Sequence, residues 1–178
     1  MNPRRALAML STKTANLAGS SGGIPETTQA DVAAALTAVK CRFQLAAILL
    51  RWAGQGSEEH VTDLLLSRAA KLKVDNGWRR GKVKLRRLCE IAVDEWLRPS
   101  QCRACGAEGN VAAVKCASCD GTGIRRKSGR AYAVAVGIDE SSWRQSWASR
   151  YAEIVAVLEQ AESEGLRALG KALMRSHD

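Results

Sequence analysis

Two Cys-x-x-Cys pairs, Cys102-Arg-Ala-Cys105 and Cys116-Ala-Ser-Cys119, are separated by ten residues, a spacing that lets four thiolates close on one tetrahedral metal ion. The two residues between paired cysteines let the chain reverse around the sulfurs, and Gly106, Gly109, Gly121 and Gly123 supply backbone that tolerates tight reversals. Closed four-cysteine sites in short loops are usually structural zinc, so one Zn2+ per chain is expected, although rubredoxin-type iron uses the same ligands. Such a site leaves no position for water or substrate and would fold a segment too short to build its own core. A thiol and disulfide couple is the competing chemistry, but the thioredoxin-like strand and helix context is missing. Cys41 and Cys89 each stand alone on a predicted helix and are expected to be small buried hydrophobes. His60 and His177 are isolated and suggest no catalytic base.

Directly after the second pair comes the basic run Arg125-Arg126-Lys127-Ser128-Gly129-Arg130, followed by an order of residues that fits a helix-turn-helix. The small Ala133 lies four residues before Gly137, where two steeply crossing helices need a short side chain. Gly137 permits the turn, Ile138 and Trp143 plug the angle, and Asp139 is placed to cap the second helix. Trp147 falls one position later than the simplest version of the pattern would have it. In this geometry Ser142, Arg144, Gln145 and Ala148 face outward near the start of the second helix, where a recognition helix meets the major groove of double-stranded DNA. Arg144 and Gln145 are the predicted base readers, because arginine and glutamine make paired hydrogen bonds to guanine and adenine edges. Arg125, Arg126, Lys127, Arg130 and Arg150 are the predicted phosphate contacts. An ordinary helical hairpin packed on the metal module would show the same apolar pattern.

These groups need a helical frame, and the flanking sequence supplies one. From Val32 the apolar positions Leu36, Val39, Phe43, Ala46, Ala47 and Leu50 recur at steps of three and four, predicting one amphipathic helix that stops near Gly54. A second helix is predicted from Ser57, which can cap it while Glu58 and Glu59 suit the positive end of the dipole. A third runs from about Lys82 to Leu97 and ends at Pro99. Its start, with Arg79 and Arg80, gathers six basic side chains into nine residues, either a phosphate contact or a solvated face. The last helix carries Trp143, Trp147, Tyr151, Ile154, Leu158 and Ala161 at helical spacing, then Leu166, Leu169 and Leu173, with a bend expected at Gly165. The predicted fold is mainly α: a flexible segment over 1–30, a helical region over 31–98, an inserted zinc module with little or no strand over 99–125, and a helix-turn-helix with a C-terminal helix over 126–178. No internal repeat of solenoid length is present.

With 178 residues the chain makes one domain, or one domain with a small appended module, and its 46% apolar content excludes wholesale disorder. The longest uncharged apolar stretches, residues 43–50 and 131–138, fall far short of the ~20 residues of a membrane helix, so no membrane partner is expected. The N-terminus reads as a flexible tail, with an organelle transit peptide as the lesser option, because its apolar run is too short for a secretory signal. The net charge of +9 is concentrated in residues 79–130, which hold 13 basic and 5 acidic side chains. A polyanion is therefore the first partner to consider. No nucleophile and base pair, paired acids or phosphate-cradling glycine loop stands out, so catalysis is not expected.

The residues Trp96-Leu97-Arg98-Pro99, Cys102-x-x-Cys105, Cys116-x-x-Cys119-Asp-Gly-Thr-Gly123, Ser128, Arg130-Ala131, Gly137-Ile138, Trp143, Trp147 and Arg150-Tyr151, with the trailing helix, resemble the phage late-gene antitermination protein Q family. The resemblance covers residues 76–175. It implies a factor that binds a DNA element overlapping a late promoter, engages paused bacterial RNA polymerase holoenzyme and lets it read through terminators. It also implies a phage or prophage origin and action in the bacterial host cytoplasm. The first knuckle departs from the Cys-x-Gly-x-Gly form kept at Cys119–Gly123, and residues 1–55 carry no part of the resemblance. The Cys119–Gly123 segment is also similar to the cysteine-rich module of DnaJ-type chaperones, of whose four knuckles only half the number occur here. The alternative function is accordingly a zinc-stabilised protein-interaction module, chaperone-like or scaffold-like, without specific DNA binding.

Overall fold

A computed structural model describes residues 2–8, 10, 28–78, 85–112, 114–125 and 127–175. The fold is mainly helical, with a four-cysteine cluster inserted between helices and a single two-stranded sheet among the described residues. The elements are α1 (Pro3–Ala8), α2 (Gln29–Leu36), α3 (Arg42–Ile48) running into a π-turn at Leu49–Ala53, α4 (Glu58–Asp75), α5 (Leu85–Leu97), β1 (Asn110–Val111), β2 (Val114–Lys115), α6 (Gly129–Val136), α7 (Glu140–Ser142), a π-turn at Trp143–Trp147, and α8 (Ala148–Arg175). No helix among the described residues is long and apolar enough to cross a membrane. Contacts group the chain into two compact units, residues 1–65 with 156–178, and residues 66–155.

In the first unit, Ala6, Leu7, Val32, Ala35, Val39, Ile48, Leu166, Leu169 and Leu173 form one buried core. The expectation of a flexible segment over 1–30 is corrected at its start, since α1 is helical and Ala6 and Leu7 are fully buried. Burying these apolar side chains offsets the entropy of ordering a short helix. Residues 11–27 of that expected flexible segment lie outside the described residues. The single helix expected from Val32 to Gly54 is two helices. Thr37 closes α2 by donating its hydroxyl to the Ala34 carbonyl at 2.7 Å, and Cys41 then takes extended backbone before α3 starts. Val39 and Phe43 remain buried across the break, so the apolar spacing survives although the helix does not.

Gly165 marks no bend. It lies inside the continuous α8 and is buried, and a Cβ at position 165 would lie 3.0 Å from Ile48 Cγ2 and 3.2 Å from the Gln44 carbonyl oxygen. The glycine lets α8 and α3 approach closely. Beside this contact the buried Glu162 accepts hydrogen bonds from Arg51 at 2.5 Å and from the Trp52 indole at 2.9 Å, which compensates its removal from water.

In the second unit, α5 buries Leu88, Cys89, Ile91, Ala92, Val93 and Trp96, and it ends at Leu97, two residues before Pro99. Burial pushes the Cys89 thiol up to about 12, with Glu90 adding to the shift and Arg86 opposing it, so it behaves as an apolar group. In the first unit, Cys41 is half-buried. Ser57 accepts from the His60 amide at 3.1 Å, the expected start of α4. Of the predicted basic run, residues 79–84 lie outside the described residues, as does His177. Arg86 and Arg87 are exposed on α5, and Arg87 is bonded to Glu90 and to the Ala135 carbonyl.

Candidate metal centre and nucleic-acid interface

The four-cysteine segment folds as two copies of one knuckle. In the first, the Ala107 amide donates to the Cys102 carbonyl at 3.1 Å and the Glu108 amide to the Cys105 carbonyl at 3.0 Å. In the second, Gly121 donates to Cys116 at 3.2 Å and Thr122 to Cys119 at 3.1 Å, at the same offsets. The knuckles are joined reciprocally: the Cys102 amide donates to the Gly123 carbonyl and the Cys116 amide to the Gly109 carbonyl, each at 2.8 Å. Between the two cysteine pairs, β1 and β2 form a short antiparallel hairpin with Asn110 opposite Lys115 and Val111 opposite Val114.

Each knuckle needs two consecutive left-handed residues after its second cysteine. In the second knuckle these are Asp120 and Gly121, with φ of 52° and 78°, and in the first they are Gly106 and Ala107, with φ of 58° and 72°. The departure of the first knuckle from the glycine pattern is therefore one of residue type. The backbone path is the same, and Ala107 occupies a conformation that costs an L side chain roughly 1–2 kcal/mol. Asp120 carries an ion pair to Lys115 at 2.6 Å, and the Lys115 ammonium holds its carboxyl below the usual carboxylate range.

All four sulfurs are buried and lie within 4.8 Å of one another, with Cys102 Sγ 4.0 Å from Cys116 Sγ and Cys105 Sγ 3.7 Å from Cys119 Sγ. A tetrahedral ion with metal–sulfur bonds of about 2.3 Å places its sulfurs about 3.8 Å apart, so the cluster fits such an ion. The Gly109 and Gly123 amides each donate to a sulfur, Cys105 and Cys119 respectively, at 3.3 Å. Burial pushes the Cys105 thiol up to about 11 against the Gly109 amide. At Cys119 burial also pushes upward, but the Gly123 amide and the neighbouring cysteines outweigh it and bring the thiol down to about 7. Four thiolates this close repel one another strongly and ionise together only around a cation. Cys102, Cys105, Cys116 and Cys119 can thus hold a metal ion as a closed set of ligands.

The segment after the module forms two helices joined by a tight turn. Ser128 caps α6 by accepting from the Ala131 amide at 3.2 Å, and Gly137 ends it in the left-handed region at φ 74°. The Ile138 amide reaches back to the Ala133 carbonyl at 2.9 Å, and Ala133 is buried. Asp139 caps α7: its carboxylate accepts the Ser142 amide at 2.8 Å, the Ser142 hydroxyl at 2.7 Å and the Ser141 hydroxyl at 2.5 Å. The serine hydroxyls and amide hold that carboxyl well below its ordinary range. The π-turn at Trp143–Trp147 closes through the Ala148 amide onto the Trp143 carbonyl. It takes up one extra residue, the physical counterpart of the late position of Trp147 in the sequence pattern.

Trp143 and Trp147 point inward and are buried, whereas Arg144 and Gln145 between them are exposed. Arg144 is ion-paired to Glu140 one turn earlier. Ser142 is half-buried with its hydroxyl bonded to Asp139, and Ala148 is half-buried. Arg150 is half-buried, its guanidinium 4.6 Å from the centre of the Trp147 ring and 5.8 Å from that of Trp78. Arg125 and Arg130 are exposed, and Arg126 lies outside the described residues. Lys127 is bonded to Glu95 at 3.1 Å and lies 3.9 Å from Asp94.

Glu95 was not singled out by motif or spacing, yet three groups converge on it. The hydroxyls of Tyr132 and Tyr151 both donate to Glu95 Oε2 at 2.7 Å, and Lys127 pairs with Oε1. Burial and the neighbouring Glu95 carboxylate push the Tyr151 hydroxyl well above the ordinary tyrosine range. Tyr132 stacks on Trp143 at 4.9 Å between ring centres and Tyr151 tilts against both rings. These contacts lock α6, α8 and the turn after α7 onto α5. Only the aromatic spacing hinted at this, because a lone glutamate on a helix reads as surface. Neither the comparison with protein-family models nor that with curated proteins gives a match to this chain.

Proposed function

We propose that this chain is a zinc-containing, double-stranded DNA-binding transcription antitermination factor of the phage late-gene Q type. In this reading it binds a late-promoter element, engages paused RNA polymerase holoenzyme in the cytoplasm of a bacterial host and enables read-through of terminators. The single observation that carries DNA binding is the exposure of Arg144 and Gln145 together on the first turns of a helix entered through the Gly137 turn. Such a helix start offers a bidentate guanine reader and a bidentate adenine reader to a major groove. Arg125 and Arg130 are exposed to meet flanking phosphates. Zinc is the metal proposed for the four sulfurs, since a closed all-thiolate tetrahedral set in a short loop suits a structural zinc ion. The polymerase and terminator steps rest on the sequence resemblance, and no bond is made or broken by the protein.

Transcription in vitro on a template with the cognate late promoter and a downstream terminator tests this reading. Added protein should raise the read-through product, and unchanged termination overturns it. The rival, a zinc-stabilised protein-interaction module, is favoured by the engagement of Lys127 with Glu95 and of Arg150 with Trp147, which gives two of the proposed phosphate contacts partners within the chain. Under that rival, DNA binding would be weak, salt-sensitive and indifferent to Arg144→Ala. Under the antitermination reading, this substitution weakens one site far more than random DNA.

A further inference from the structure

Glu140 and Arg144 sit one helical turn apart on the exposed start of the second helix, and the Arg144 guanidinium donates to Glu140 Oε1. Their side chains are 36% and 72% exposed respectively, so the pair faces solvent. The backbone beneath them is held rigidly. Asp139 takes three hydrogen bonds from Ser141 and Ser142, the Ala148 amide closes the π-turn onto Trp143, and Trp143 is stacked on Tyr132.

We infer that Glu140 is a positioning residue that makes Arg144 a base reader rather than a phosphate contact, an inference that rests on the DNA-binding reading above. A guanidinium presents five N–H donors in a planar fork. With one of its nitrogens held by Glu140, the remaining donors stay free for the O6 and N7 acceptors of a guanine. Holding the long side chain in place before binding lowers the ordering cost on the correct site. The same carboxylate cancels the charge that would draw Arg144 to any phosphate, and its own charge is repelled by the backbone. It therefore acts against random DNA while aiding the right sequence. Glu140 thus works in two directions, which a residue needed only for folding would not do.

The test is binding-site selection by the full metal-loaded chain from a duplex pool with a randomised core, alongside salt titrations on random duplex. Wild type should enrich a site with a guanine whose preference Arg144→Ala abolishes. Glu140→Gln should lose at least about fivefold of that preference, bind random duplex more tightly, and steepen the salt slope by about 0.9 through one added phosphate contact. In the Arg144→Ala background, Glu140→Gln should leave the remaining preferences unchanged. Glu140→Asp, which keeps the charge and shortens the reach, should lose the guanine preference without a gain on random duplex; this covers the case of a Glu140→Gln chain that fails to fold. A wild type that selects a site while both variants keep its guanine preference overturns this inference alone. Variants that lose selected and random duplex equally also overturn it. A wild type that selects nothing overturns both the DNA-binding reading and this inference.

Discussion

Gly123 and Ala107 face each other across the two cysteine knuckles so closely that a Cβ at position 123 would lie 2.2 Å from the Ala107 carbonyl oxygen. The counterpart contact, from position 109 to the Gly121 carbonyl oxygen, would be 2.3 Å. Backbone occupies both places, so no rotamer change can make room. Gly123→Ala should prise the knuckles apart, adding a clash to the roughly 1–2 kcal/mol of a left-handed alanine. Elemental analysis of protein purified under reducing conditions should find one metal ion per wild-type chain, clearly less in Gly123→Ala and none in Cys119→Ser. Full occupancy in both variants would contradict the knuckle geometry.

Ala107 invites the opposite experiment. Its φ of 72° suits glycine, the residue found at the equivalent position 121. Ala107→Gly should stabilise the metal-bound module by up to about 1 kcal/mol, the relief of the left-handed strain less the extra entropy glycine loses on folding. Slower metal release to a chelator than in wild type is the expected readout.

The cap at Asp139 fixes a pH dependence. Its carboxyl is held well below the ordinary aspartate range by the hydrogen bonds from Ser141 and Ser142, so the folded state binds its proton less readily than the unfolded chain does. The stability this contributes is complete above the unfolded value and is lost as pH falls through the lower folded value. At neutral pH, Asp139→Ala should lower the melting temperature by about 3 °C, and Asp139→Asn by less, because asparagine also caps helices. The gap between wild type and Asp139→Ala should narrow as the pH is taken well below 3.8.

Glu95 receives both tyrosine hydroxyls and Lys127, so its removal leaves two buried tyrosines without their shared acceptor. Glu95→Ala should cost about 2–3 kcal/mol of stability. Glu95→Gln keeps an acceptor but removes the charge, and it should bring the Tyr151 ionisation down from its raised position, measured as phenolate absorbance against pH. An unchanged tyrosine titration would show that Glu95 does not set the environment of Tyr151.

Much of this architecture could be read along the chain because its causes are local. Two cysteines with two residues between them define a knuckle, Asp139 caps the helix whose amides lie just ahead of it, and Gly137 takes the φ that ends α6. Apolar spacing likewise marked the buried face of α8, where Tyr151, Ile154, Leu158, Ala161, Leu166, Leu169 and Leu173 are all buried. The break at Thr37–Cys41 was hidden because the apolar steps continue across it, and periodicity records which residues are buried, not whether the backbone between them stays helical.

Other features arise from contacts between residues far apart in the chain, and only folding brings these together. The burial of Ala6 and Leu7, the pairing of Gln44 with Glu164 and of Arg51 with Glu162, and the meeting of Tyr132 and Tyr151 on Glu95 all depend on which helix faces come together. A glycine at position 165 reads as a bend in a single helix, yet against Ile48 it is the space another helix needs. The same holds for charge. Arg144 and Lys127 are both basic and both exposed, but one pairs with Glu140 a turn away on its own helix while the other meets Glu95 on α5, because helix packing sets which distant partner a charged side chain can reach.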